Sequence, residues 1–304
     1  MAKKKIIITG GTGFIGQALT PHLLASGYEV VVLSRHPASV KTAANASVVP
    51  WDAQTSKGWL DYVENAKAII NLAGSNIAAG RWTEKTKQRL LESRLQAGAA
   101  VVEAVTRAKK PPEVVIQAGG IGYYGSRGDE LLDESTAVGT GFLTTLAPRW
   151  EASTRPVTTV NLRHVVVRLG IVLGRGGGFL SRVKLPYYFM LGGHFGSGQQ
   201  WLSWIHQADV AAAILFLIEH DAASGTFNLT APEPVTAKTF FRTLGKAMGR
   251  PAWLSIPTWP LRLVFGEMAD ELLLASQRAL PKGLLELGYR FQFTDLETAL
   301  RDLV

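Results

Sequence analysis

An α/β fold built on a doubly wound parallel sheet, with a smaller, mostly helical C-terminal cap, is what this sequence predicts, and three observations carry the prediction. A β-branched run, Ile6-Ile7-Ile8-Thr9, passes at once into Gly10-Gly11-Thr12-Gly13-Phe14-Ile15-Gly16 and then into a helical pattern stopped by Ser26-Gly27. Short apolar strands then alternate with helical stretches as far as Gly225–Leu229. The stretch from Asn161 to Leu169 carries an apolar run of the kind found in parallel strands covered on both faces.

Strand, glycine turn and helix form the first half of a βαβ unit that seats a dinucleotide, so the sheet is expected to be Rossmann-like. Gly10 would turn the chain sharply off the strand, Gly13 would keep a side chain away from a pyrophosphate, and Gly16 would let the helix pack close to the sheet. The pyrophosphate would rest on unpaired N–H groups of Phe14, Ile15 and their neighbours, beside Thr12, where the helix dipole favours negative charge. The helix is expected to bury Phe14, Ala18, Leu19, His22 and Leu23.

The second strand, Glu29 to Leu33, ends at Ser34-Arg35. A carboxylate here would accept bonds from a ribose 2′-hydroxyl and repel a 2′-phosphate; Arg35 instead offers a cation to that phosphate. NADP(H) is therefore expected in preference to NAD(H). Ser47–Pro50 is the third strand, followed by Trp51-Asp52. Asp52 is placed either to receive the adenine amino group or to cap the next turn. Ala68 to Leu72 is the fourth strand, and Leu72-Ala73-Gly74 is small enough to pass beneath a cofactor. A long helix from Thr83 to Ala108 is expected to bury Leu91, Leu95, Val102 and Val105 and is closed by Pro111-Pro112. The fifth strand, Val114 to Ala118, leads into Gly119-Gly120-Ile121-Gly122-Tyr123-Tyr124-Gly125, with a further helix near Phe142 to Thr154. Beyond Gly174 the composition changes: glycine-rich loops at 175–178 and 192–198 flank the aromatic segment Leu185 to Phe189. A helix from Asp209 to Glu219 and a strand from Gly225 to Leu229 return to the sheet. From Thr236 onward short helices are broken by prolines, and a final helix should bury Leu296, Ala299, Leu300 and Leu303. Residues 1–174, continued by 200–230, read as the NADP-binding domain, and residues 175–199 and 231–304 as a substrate-side cap.

With 304 residues, 47% apolar and 18% charged, the chain can bury a large core. The absence of cysteine excludes disulfides, thiolate metal sites and cysteine nucleophiles. No His-x-x-x-His pair or acidic cluster marks a metal site. Lys3-Lys4-Lys5 precedes an apolar stretch too short for a signal peptide, and no apolar run approaches the ~20 residues that span a bilayer, so a cytoplasmic protein without a membrane partner is expected. The formal charge of +8 points to anionic ligands, and the scattered basic residues argue against nucleic acid. The expected partner is a small anionic molecule, with the chain a monomer or homodimer.

Taken together, Thr9 to Gly16, Asn71-Leu72-Ala73-Gly74, Tyr123-Tyr124-Gly125 and Arg168 to Gly174 resemble the extended short-chain dehydrogenase/reductases, which include NAD(P)-dependent epimerases and dehydratases of nucleotide sugars. Gly80-Arg81-Trp82-Thr83, Leu191-Gly192-Gly193, Gly196 to Gln200 and Ser203-Trp204-Ile205-His206 are closer still to the atypical "epimerase family" subgroup. Its C-terminal domain of unknown function is matched from about Thr236. The resemblance implies NADP binding and the Rossmann-like fold; some relatives are labelled cell-division inhibitors.

The superfamily's working members use a Tyr-x-x-x-Lys helix pair and a serine at the end of the fifth strand. This sequence has no Tyr-x-x-x-Lys; if Glu151 marks the register, Leu143 and Ala147 stand in those places, and Gly119 and Gly120 replace the serine. Tyr124 and His206 are then the candidates for proton transfer, each with a packing or structural role as the alternative. Arg94 and Arg168 join the expected cofactor set, and Arg81 and Arg168 are also candidates for a substrate phosphate or carboxylate. Trp82, Tyr123, Ser197, Gln199, Trp201 and Trp204 are candidates for the substrate side, with packing of the cap as the alternative for the tryptophans. Two functions follow: an NADP(H)-dependent oxidoreductase or epimerase-like enzyme acting on a small anion such as a nucleotide sugar, or a catalytically silent NADP-bound sensor or interaction protein related to cell division.

Overall fold

A computed structural model describes residues 3–40 and 45–304. Its centre is a parallel sheet of strands β1 (Lys5–Thr9), β2 (Glu29–Ser34), β3 (Ser47–Pro50), β4 (Ala66–Asn71), β5 (Val114–Gly120), β6 (Arg163–Leu169) and β7 (Gly225–Leu229). They lie in the order β7-β6-β5-β4-β1-β2-β3, so the chain reverses direction across the sheet between β1 and β4. Alternate side chains of each strand serve opposite faces. Ile6, Ile8, Val30, Val32, Val165 and Val167 pack under helices α1 (Phe14–Ala25) and Gln207–Glu219. Ile7, Val31, Ile69 and Val115 pack under helix α2 (Glu84–Arg107). Helix α3 (Phe142–Ala152) follows at the carboxyl end of β5.

Two helical faces differ from the sequence reading. In α1 the buried residues are Gly16, Leu19, Thr20 and Leu23, while Phe14, Ala18 and His22 are half-buried. In α2 they are Leu90, Arg94, Ala97, Gly98, Ala100, Val101, Ala104 and Val105, whereas Leu91, Leu95 and Val102 lie on the flank. Small residues carry that stripe because the helix lies close on its neighbours; a Cβ on Gly98 would stand 2.5 Å from Ser153 Cβ. Hydrophobicity marked the larger residues one position away.

A buried polar ladder starts at the carboxyl ends of β1 and β4 and runs through the middle of β5. Thr9 donates to Asn71 Oδ1 at 2.6 Å, and Asn71 and Thr154 both donate to Gln117 Oε1, at 2.8 and 3.0 Å. His164 Nε2 lies 2.9 Å from the Thr154 hydroxyl at its far end. Burial, reinforced by Arg155, pulls the His164 pKa down to about 4. Unfolded histidine takes up its proton near pH 6.5, so the stability His164 contributes is complete above about 6.5 and is lost as pH falls toward about 4. His164→Gln is therefore expected to flatten the decline in the urea midpoint between pH 7 and 4.5; an unchanged decline would count against this assignment.

Beyond β6 the chain is less loop-like than its glycines suggest. Gly192–Phe195 is a strand paired in parallel with Ala252–Ile256, and the glycines permit the pairing: a Cβ on Gly193 would stand 2.6 Å from the Leu254 carbonyl carbon. Residues Ala237–Met248 form a full helix capped by the Thr236 hydroxyl. Its Phe240, Phe241 and Leu244 pack with Leu296, Ala299, Leu300 and Leu303 of the last helix, Leu296–Leu303, whose expected face is the buried one. Among the described residues no helix is long and apolar enough to cross a membrane.

Candidate functional site

The loops after β1 and β4 meet where the sheet reverses. Gly10 has φ +68°, and a Cβ there would lie 2.8 Å from the Leu72 carbonyl carbon and 2.9 Å from Ala73 N. Extended Gly13 starts α1, no side chain caps the helix, and its first turn holds no acid. The N–H groups at that end are thus available to an anion. Gly16 lets α1 sit on the Gly11 backbone rather than on the sheet: a Cβ would fall 2.5 Å from Gly11 O. Thr12 O accepts from Gln17 Nε2 at 3.0 Å, and Ile15 is half-buried. The Phe14 ring is enclosed by Gly174, Gly177 and Gly178, where Cβ atoms would come within 2.8 Å of it. The expected flexible loop at 175–178 is therefore packed on Phe14, and it opens the helix Gly178–Val183.

At the end of β2, Ser34 is buried and its hydroxyl accepts from His36 N at 3.2 Å, while Arg35 is exposed. Trp51 packs edge-on to Trp59 and donates to Thr55 O at 2.8 Å. Of the two roles open to Asp52, the turn cap is the one observed: it accepts from Gln54 N, Thr55 N and the Thr55 hydroxyl at 2.7–2.8 Å.

A separate cavity of about 290 Å³ opens at the carboxyl end of β5, between α3 and the segments 201–203 and 271–277. Gly119, Gly120, Leu143 and Ala147 all line it, as do Arg94, Trp150, Trp201 and Glu271. Gly119, one of the two glycines expected in place of the serine, faces Glu151: a Cβ there would stand 2.8 Å from Glu151 Oε1. Glu271 accepts from the N–H groups of Phe142 and Leu143 at 2.6 and 2.7 Å, so a carboxylate from the C-terminal region caps α3. Gly74 makes room for Arg94, whose Cζ would lie 3.1 Å from a Cβ at that position. Neither Glu271 nor Glu151 was singled out by chemistry in the sequence, since their partners lie 129 and 17 residues away.

Several expected site residues are committed elsewhere. Arg168 is buried and makes a two-pronged ion pair with Glu151, Nε–Oε1 2.9 Å and Nη2–Oε2 3.0 Å. Its third donor reaches the Tyr124 hydroxyl at 3.0 Å, and its plane covers the half-buried Tyr123 ring at 3.4 Å. Tyr124 is fully buried and donates to Asn228 Oδ1 at 2.8 Å. Burial raises its pKa despite the cation of Arg168, which is the wrong direction for a proton relay near neutrality. His206 occupies a structural position: its Nδ1 accepts from Ala208 N at 3.1 Å, making it the N-cap of the helix Gln207–Glu219. Its ring lies 3.9 Å from that of Phe293, its Nε2 is 3.3 Å from Asp302 Oδ2, and burial holds its pKa below the usual histidine range. Trp204 is fully buried and donates to Glu233 O at 3.0 Å; Trp82 is buried and donates to Ile77 O at 2.8 Å. Arg81 is exposed beside Leu263 O and Gly266, and Ser197 and Gln199 are exposed in the turn after Phe195, outside the cavity. Trp201 alone of the expected stacking tryptophans lines the cavity, held by Asp129 and Arg278. Among the described residues, no group of three His, Asp or Glu is arranged to hold a metal ion.

A parallel sheet that reverses beside a glycine turn at an uncapped helix N-terminus defines a nucleotide-binding Rossmann protein. Residues 6–230 match the family described as "NAD dependent epimerase/dehydratase family", and residues 256–303 match a domain of unknown function, DUF1731, starting later than the expected Thr236. Epimerase family protein YfhF of Bacillus subtilis is 39% identical over 302 residues, 98% of this chain and 97% of that one. The crystal structure of human epimerase family protein SDR39U1 (isoform 2) with NADPH superposes with a TM-score of 0.88 at 34% identity, covering 98% of each chain. UDP-glucose 4-epimerase from Thermotoga maritima, solved with UDP-glucose, shares the fold at TM-score 0.80 and 18% identity, over 98% of this chain and 96% of that one. The chain belongs to the NAD dependent epimerase/dehydratase family.

Proposed function

We propose that this protein is a cytoplasmic NADP(H)-binding oxidoreductase or epimerase-like enzyme, acting on a small anionic molecule in the cavity beside β5. The observation that carries the reading is the pairing of an uncapped helix N-terminus with exposed Arg35 at the end of β2. The N–H groups at Phe14 and Ile15 would hold the pyrophosphate, and Arg35 the 2′-phosphate. The NADPH in the crystals of the human relative supports this choice. When bound, the nicotinamide supplies hydride chemistry. The chain's own contribution would be to orient the substrate and exclude water, with Arg94 and Trp150 at the wall.

Leu143, Ala147 and Gly119 leave this cavity without the tyrosine, lysine and serine of working relatives. That favours a second reading, an NADP-bound sensor without turnover, and a panel of carbonyl compounds and sugar nucleotides offered with NADPH separates the two by whether NADPH is consumed. The cofactor assignment is tested by nicotinamide fluorescence. Arg35→Asp should weaken NADPH binding roughly 10- to 100-fold, the loss of one charge-assisted contact, and leave NADH unchanged or tighter. Equal NADPH affinity in the variant would refute the phosphate assignment.

A further inference from the structure

We infer that the cavity beside β5 binds a small carboxylic acid with an apolar body, with the carboxylate taken by Arg94 and by the indole N–H of Trp150. The inference rests on the proposed reading only in treating this cavity as the substrate's.

Arg94 is only 6% exposed, and its Nε has no hydrogen-bond partner. Its Nη1 reaches only Leu90 O, at 2.8 Å, a carbonyl of its own helix. Among the described residues no carboxylate stands within ion-pair distance of it, whereas Arg168, equally buried, is gripped on both prongs by Glu151. Burial alone pulls the Arg94 pKa down to about 10. A buried cation without a counter-ion is costly, and an anion taken into the adjoining cavity would offset that cost.

A second donor stands beside it unused. Trp150 Nε1 is buried without a partner, and the Arg94 guanidinium lies 4.6 Å from that ring. Both residues line the cavity, whose other walls include Leu143, Leu146, Leu169 and Ile171. The carboxylate of Glu271 is already engaged by the α3 N–H groups. An apolar chamber with one cation and one further donor at its wall suits a ligand with one anionic end. About 290 Å³ lies at the small end for ligand sites, too little for a nucleoside diphosphate sugar. The cofactor's pyrophosphate is a different anion in a different place, since none of Gly10 to Gly16 lines this cavity.

The test is calorimetry on NADPH-loaded protein with hexanoate, its neutral isostere hexanamide, and inorganic phosphate. Hexanoate should bind at least about tenfold tighter than hexanamide. Arg94→Gln should erase that difference while changing NADPH affinity less than about threefold, and Arg94→Lys should restore part of it as a charge without the fork. If Arg94→Gln folds poorly, Arg94→Met serves: free of the uncompensated charge, it should melt higher than the unliganded parent and lose the hexanoate-induced rise in Tm. Hexanoate binding no tighter than hexanamide, or weaker than phosphate, overturns the ligand class. NADPH affinity falling as far as hexanoate affinity in Arg94→Gln would hand the arginine to the cofactor. A protein that binds hexanoate in this pattern but not NADPH would sink the cofactor reading and leave this one standing.

Discussion

Glu151→Gln is expected to lower stability by about 3–5 kcal/mol, the cost of leaving one member of a buried ion pair alone. Both partners are below 10% exposed, and the two bonds of 2.9 and 3.0 Å use both carboxylate oxygens. Glutamine keeps a single acceptor oxygen and no charge, so Arg168 would become a second buried cation without a counter-ion. The Tyr124 hydroxyl and the Tyr123 ring cannot replace a carboxylate. The effect would be read as a lower urea midpoint. Replacing both residues by leucine should recover much of the loss, because an apolar pair leaves no stranded charge. A single variant within about 1 kcal/mol of the parent would mean that water or a rearranged neighbour already serves Arg168.

Gly16→Ala is expected to weaken NADPH binding by roughly 10²- to 10⁴-fold, the equivalent of two lost bonds to a charged group. The added Cβ would meet Gly11 backbone, 2.5 Å from its oxygen and 2.6 Å from its carbonyl carbon. Gly11 has no room to retreat: a Cβ on it would already lie 2.9 Å from Val32 Cγ1, so β2 stands directly behind the turn. Helix α1 must therefore move, carrying the N–H groups of Phe14 and Ile15 away from the pyrophosphate. Gly80→Ala, where nothing lies within 4 Å of the new Cβ, is the control and should bind NADPH as the parent does. If Gly16→Ala binds NADPH equally well, the helix N-terminus is not the phosphate site.

How much of this was legible follows from the range over which each feature is specified. The glycine turn, the strands from β1 to β7 and the face of the last helix are local patterns with periods of two or 3.6 residues. They were read correctly because neighbours in sequence are sufficient to define them. The α2 face was displaced because an alanine and glycine stripe carries little hydrophobic signal, though it packs most closely. Gly192–Phe195 reads as a loop in sequence because its pairing with Ala252–Ile256 joins segments far apart in the chain. At the candidate site, residue type alone drew Arg94 and Arg168 into one cofactor set. Burial was common to both, and only the position of Glu151 separated a paired arginine from an unpaired one.

By itself the sequence determined a glycine turn between strand and helix, an arginine where an NAD enzyme places an acid, and a parallel sheet to carry them, since each is written within a few consecutive residues. Which charges are satisfied was decided by tertiary structure alone. An ion pair, a capped helix end and a buried orphan cation depend on distances of a few ångströms between residues up to 129 positions apart, and no local pattern encodes them.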